Sequence, residues 1–173
     1  MLKGTSWRRI EPEMISDNVF KLIGKDWMLI TAGSPDAFNT MTASWGAMGI
    51  LWGRRVALVV VRPQRYTFEF MERSATFSLS FFDESYRSVL NFCGTYSGRD
   101  VDKVAATGLT PLTADDGTIY FAEARLVLIC RKLYAQDLDS EAFIDKAILP
   151  EAYPAQDYHR MYVGEIRQVL SRE

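Results

Sequence analysis

The alternation of apolar and polar positions predicts strands first. Residues 27–31, Trp-Met-Leu-Ile-Thr, form a short apolar run ended by the turn cluster Gly33-Ser-Pro-Asp36. Residues 40–46 mix small, polar and apolar side chains, which suits a strand with one face free to receive something. Residues 56–61 are an unbroken apolar run closed by Arg62-Pro63, the pattern of a buried strand. Pro63 then opens a helix over residues 64–72, because proline lacks only a donor that is unpaired at a helix start. In residues 75–81, Phe77, Leu79 and Phe81 alternate with Thr76, Ser78 and Ser80, so one face of that strand points to a core.

The second half reads less regularly. Asp83 is placed to cap a helix carrying Tyr86, Val89, Leu90 and Cys93 at helical spacing. Asp100 is placed to cap another, with Val101, Val104 and Ala105 inward and Gly108 as its stop. Residues 119–134 predict one long strand or two joined by a bend, and residues 140–149 a helix. Residues 160–170 close the chain as a strand with Tyr162, Gly164 and Ile166 on one side. The irregular spacing of helices argues against a doubly wound parallel sheet, and no Gly-x-Gly-x-x-Gly follows a strand. What remains is a mainly β protein, a β-barrel or sandwich with peripheral helices, in a single domain over residues 1–173.

Composition narrows the function. With 20 Lys+Arg against 22 Asp+Glu there is no basic excess for nucleic acid. No apolar run approaches the roughly 20 residues of a membrane-spanning helix. The first residues lack the apolar core of a signal peptide, and the two cysteines, Cys93 and Cys130, stand far apart. Both facts predict a cytoplasmic protein with reduced thiols. One histidine, His159, and no Cys-x-x-Cys predict no metal site, and the absence of Gly-x-Ser-x-Gly disfavours hydrolase chemistry. No side chain is singled out as catalytic.

Three segments are unusual for a plain core. Asn39-Thr-Met-Thr-Ala-Ser-Trp45 offers hydroxyls and small residues beside one large aromatic. Arg62-Pro-Gln-Arg-Tyr-Thr67 places two arginines at a strand-to-helix junction. Cys93-Gly-Thr-Tyr-Ser-Gly-Arg-Asp-Val-Asp-Lys103 puts Ser97, Arg99 and Lys103 on a glycine-containing loop that enters a helix. Cations, hydroxyls and free backbone N–H groups together suit an anion such as phosphate, and a strand of small residues suits a flat ring. Each feature also has a plainer reading. Gly94 and Gly98 serve equally to end a helix; Arg62 and Arg65 as solvated charges; Trp45 as core; Cys93 as packing; His159 as a satisfied surface residue.

Together with Gly108-Leu-Thr-Pro111 and residues 159–165, these segments resemble the flavin reductase-like family with the FMN-binding split barrel, and the third resembles its flavoredoxin branch. The resemblance covers about residues 20–170. It implies a six-stranded antiparallel split barrel that forms homodimers and binds FMN, with FAD as the alternative flavin. Carried over by position, Asn39, Thr40, Met41, Thr42, Ala43, Ser44 and Trp45 contact the ring and ribityl chain. Arg62, Arg65, Tyr66 and Thr67 lie towards the phosphate, where Cys93, Gly94, Ser97, Gly98, Arg99 and Lys103 close the site. The implied activity is an oxidoreductase that passes electrons from NADH or NADPH through flavin to an acceptor, or else a non-catalytic flavin relay. Flavin carries the redox chemistry itself, which accounts for the missing catalytic dyad.

Overall fold

The computed structural model describes residues 6–172. Its strands are β1 (Trp7–Ile10), β2 (Met28–Ser34), β3 (Ala37–Ala43), β4 (Gly46–Leu51), β5 (Arg54–Val61), β6 (Thr76–Phe81), β7 (Pro111–Thr113), β8 (Ile119–Phe121), β9 (Leu126–Asp137) and β10 (Arg160–Arg172). The helices are α1 (Val19–Lys21), α2 (Tyr66–Arg73), α3 (Arg87–Thr95), α4 (Lys103–Thr107) and α5 (Ile148–Ala152). One antiparallel sheet runs β3-β2-β6-β9-β10-β5-β4, with β1 paired to the far half of β10. A separate ribbon pairs β7 with β8.

β3 and β4 are the two unpaired ends of this path, yet they follow one another in sequence, joined by Ser44 and Trp45. The sheet therefore rolls into a barrel that stays open along one seam. This is the split barrel expected, with eight strands in the sheet rather than six. No helix among the described residues is long and apolar enough to cross a membrane.

Two apolar layers explain the burial pattern. Phe77, Leu79 and Phe81 of β6 enter the barrel with Met28, Ile30, Leu128, Cys130 and Tyr162. Leu29, Val127 and Ile129 point the other way, onto Leu90 and Cys93 of α3 and onto Tyr120 and Phe121 of β8. The central strands are thus covered on both faces, and even Ser78 and Ser80 are fully buried. Ser78 is satisfied by donating to the Ile119 carbonyl at 2.6 Å.

Several expectations need correction. Asp102, not Asp100, caps α4, accepting from the Ala105 N–H at 3.0 Å, so Val101 precedes the helix; Gly108 stops it in the left-handed region (φ 72°) as read. Of the two alternatives for residues 119–134, the structure has the second, two strands, β8 and β9. The helix expected over 140–149 is absent: Ser140–Ala142 makes one tight turn and α5 starts only at Ile148. Asp139 and Asp145 each take a backbone N–H two residues on, Glu141 and Ala147, which competes with helical pairing. His159 is buried rather than at the surface, and Trp45 is about half exposed rather than in the core.

Gly164 shows how closely the barrel is packed. A Cβ there would lie 2.6 Å from the Phe77 ring and 2.9 Å from the Cys130 Cβ, whereas one on Gly49 meets nothing within 4 Å. Gly164→Ala is expected to destabilise the protein by about 1–3 kcal/mol and Gly49→Ala to have little effect. Urea unfolding checks this, and equal midpoints for the two variants would contradict the packing described.

Candidate functional site

The site is built on β3, at the edge of the seam. Asn39 is buried and its amide donates to Thr67 Oγ1 at 2.8 Å, tying the strand to the first turn of α2. Thr40 shares a hydroxyl hydrogen bond with Thr31 on β2 at 2.9 Å. Thr42 donates to the Leu90 carbonyl of α3. Small side chains at these positions let α3 lie close: a Cβ on Gly94 would come within 3.3 Å of Thr42. Gly98 is more constrained, since a Cβ there would stand 2.0 Å from Asn39 Oδ1. The loop between α3 and α4 is therefore pressed onto Asn39 and Tyr66.

Lys103 enters this packed region from the start of α4. It is 5% exposed, and its ammonium donates to the Thr40 and Cys93 carbonyls, each at 2.8 Å. Among the described residues no carboxylate pairs with it. Burial lowers its pKa to about 8, with Cys93 opposing the shift and Arg65 adding to it. An ammonium has three donors, so one remains beyond the two carbonyls. Cys93 itself is fully buried, a free thiol whose pKa burial raises, which leaves it unsuited to thiolate chemistry.

The arginines divide into committed and uncommitted. Arg62 pairs with Asp157, donates to the Ala152 carbonyl at 2.9 Å and lies over the Tyr153 ring. Arg99 pairs with Glu69, donates to the Gln64 carbonyl at 3.2 Å and lies over Tyr66, while the Ser97 hydroxyl accepts from the Arg99 N–H. Arg65 is half-buried, and its guanidinium makes no hydrogen bond or ion pair among the described residues; burial lowers its pKa, and Arg62 lowers it further. A guanidinium in that state lacks a counter-charge.

Two cavities flank β3. One of about 250 Å³ is lined by residues 41–45, Val60, Arg62, Arg65 and His159. The other, about 590 Å³, is lined by residues 36–40, Tyr66, Gly98, Arg99, Lys103 and their neighbours. So Met41, Thr42, Ala43, Ser44 and Trp45 meet Arg62 and Arg65 in one cleft. Asn39, Thr40, Tyr66, Gly98, Arg99 and Lys103 meet in the next. Thr67, Cys93, Gly94 and Ser97 line neither and act behind the walls.

Sequence reasoning missed the wall contributed by the C-terminal third. His159 stands 5.2 Å from Trp45 between ring centroids, and its Nδ1 shares a 2.8 Å hydrogen bond with the Tyr153 hydroxyl. Asp157 holds Arg62 and accepts from Gln64 at 2.6 Å. A lone histidine carries no spacing signal of its own; the one available was its place in the last of the family-like segments. Burial, then the nearby Arg62, lowers His159 to about 4 from its usual 6.5. It is thus neutral at pH 7. Between pH 6.5 and 4 the unfolded chain takes up a proton that the folded one refuses, so this residue makes stability fall as the pH drops through that window. An NMR titration of the imidazole should find a midpoint near 4, and a midpoint near 6.5 would contradict its burial.

The comparisons fit this geometry. No curated protein matches the chain at a significant level. Among solved structures, the FMN-binding domain of a flavin reductases-like enzyme from Shewanella baltica aligns with TM-score 0.70 and 16% identity, over 96% of this chain and 78% of that one. Flavoredoxin of Desulfovibrio vulgaris aligns with TM-score 0.68 and 19% identity, over 95% and 78%. An NADH:FAD oxidoreductase of Streptomyces globisporus aligns with TM-score 0.65 and 15% identity, over 86% and 78%. At such identities these likenesses show a shared fold. The model of the flavin reductase like domain matches residues 21–173, nearly the whole chain, and the protein therefore belongs to the flavin reductase-like family.

Proposed function

We propose that the clefts beside β3 hold FMN and that the protein is an FMN-dependent oxidoreductase using NADH or NADPH. The observation that carries this is the pair of cations without carboxylate partners among the described residues, Arg65 and Lys103, beside a strand of small residues. A phosphate monoester supplies the missing negative charge, and charge-assisted donors hold it. Arg62 and Arg99 are already paired with Asp157 and Glu69, so the phosphate falls to Arg65 and Lys103. The flat ring fits the seam end of the strand, where Ala43, Ser44 and Trp45 face neutral His159.

Bound FMN would supply the redox chemistry, taking an electron pair from the reduced nicotinamide and passing it on. The chain's own residues bind, orient and shield. The Asn39–Thr67 bond and Gly98 fix the wall on which the ligand lies. His159 adds polarity without charge, and Trp45 leaves an exposed aromatic face. FMN is favoured over FAD because no dinucleotide-binding motif is present. The working form is a homodimer: Phe20 and Trp45, both exposed, border an apolar groove of about 660 Å³ beside the seam, which a second copy would cover. Sedimentation should therefore give twice the 19.7 kDa chain mass, and a flavin-loaded monomer would contradict this.

Lys103→Ala and Arg65→Ala should each weaken FMN roughly ten- to a hundredfold, the value of one charge-assisted hydrogen bond, and leave riboflavin, which lacks the phosphate, nearly unaffected. In the wild type, FMN affinity should fall relative to riboflavin as the pH rises above about 8, where Lys103 gives up its proton. Equal losses for both ligands would remove the phosphate from these residues. Steady-state oxidation of NADH and NADPH with FMN present tests the activity. FMN binding without turnover would make the protein a flavin relay instead.

A further inference from the structure

The turn between β4 and β5 breaks the usual chemistry of hairpins. Leu51 pairs with Arg54, so the loop is Trp52-Gly53, and both residues have positive φ, 52° and 68°. Asn-Gly adopts that geometry readily; a bulky side chain adopts it against its preference. Trp52 gains little burial in return. It is 57% exposed and stands edge-on to Tyr134, at 6.1 Å between ring centroids, which is 42% exposed.

Three arginines stand on the strands that carry this pair and on their neighbour: Arg54 on β5 just after the turn, Arg131 on β9 and Arg167 on β10. Arg54, Arg131 and Arg167 all reach the single carboxylate of Glu165, at 2.7, 2.9 and 3.3 Å, and each is about half exposed. Arg131 first, then Arg54, hold Glu165 down to about 2, so it stays ionised. One carboxylate offsets one guanidinium, and this ledge keeps two excess positive charges in a chain of net charge −2.

We propose that the β4–β5 tip is a docking surface for a partner protein that presents carboxylates around an apolar side chain. Trp, Tyr and Arg dominate the energetics of protein interfaces, and here all three are exposed together. The charge excess selects an acidic occupant. A second copy docking two-fold through the same patch would set arginines against arginines, which opposes it. The six residues of β4 separate the tip from Trp45, about 20 Å at the rise of an extended strand. An occupant there leaves the clefts open, and the proposal stands independently of what fills them.

The test uses the full chain and a fluorescein-labelled peptide carrying six glutamates around one leucine, read by anisotropy. The peptide should bind the wild type, and its affinity should fall at least tenfold between low and moderate salt. A peptide with lysines in place of the glutamates should not bind. Trp52→Asn should lose at least tenfold in affinity while melting at the same or a higher temperature, because Asn-Gly suits the turn. Arg54→Gln with Arg131→Gln should also weaken binding. Absence of acidic-peptide binding, or equal affinity in Trp52→Asn, would overturn the proposal. A dimeric wild type that becomes monomeric in Trp52→Asn would assign the tip to a second copy. Binding to phosphatidylserine vesicles but not to the peptide would assign it to a membrane surface.

Discussion

Lys103 carries an ammonium group into the packed junction of β3, α3 and α4, where the Thr40 and Cys93 carbonyls hold it and no carboxylate among the described residues pairs with it. Taking a charge out of water costs several kcal/mol, and two neutral acceptors offset only part of that. The local architecture follows from keeping it there. The Thr40 carbonyl must be left for the lysine, α3 must end against that strand, and α4 must start where the lysine can reach both. Asp102 sets that start, and Gly98 lets the intervening loop come down onto Asn39. The uncompensated charge is then a property of the folded chain rather than an accident of its surface.

The open seam leaves β3, the strand beside that charge, paired on one edge only. A closed barrel would pair β3 with β4 and bury the stretch between them. Here the chain crosses the gap through Ser44 and Trp45, leaving a strand of small side chains with an aromatic at its end and half-buried Arg65 across the cleft. The C-terminal third completes the wall. Asp157 pairs with Arg62, and Tyr153 orients His159. The site thus separates cations with carboxylate partners from those with none among the described residues, and the separation follows from sequence-distant carboxylates rather than from the arginines' own surroundings.

What was legible in the chain follows the same physics. The alternation in β6 and the unbroken apolar run of β5 mark strands because burial sets those patterns directly. The β4–β5 hairpin was not legible: Trp52-Gly53 is a poor match to the turn it makes, so no turn signal stood between the strands. β1, Trp-Arg-Arg-Ile, is held by pairing to β10 and has no periodicity of its own. The site segments were legible as types of residue, but their division was not. Arg62 and Arg65 look alike in sequence; only Asp157, far along the chain, makes one committed and leaves the other open. His159 was misread for a similar reason, since its burial comes from Trp45 and Tyr153, which the fold brings together.

We propose that these cations grip a phosphate. Phosphorus NMR of protein-bound FMN across a pH titration measures this most directly. A phosphate monoester gives up its second proton near pH 6, and cations that touch it favour the dianion. The account predicts a bound resonance that stays dianionic to well below pH 6 in the wild type and returns towards the free value in Lys103→Ala. A bound phosphate that titrates like free FMN would contradict it.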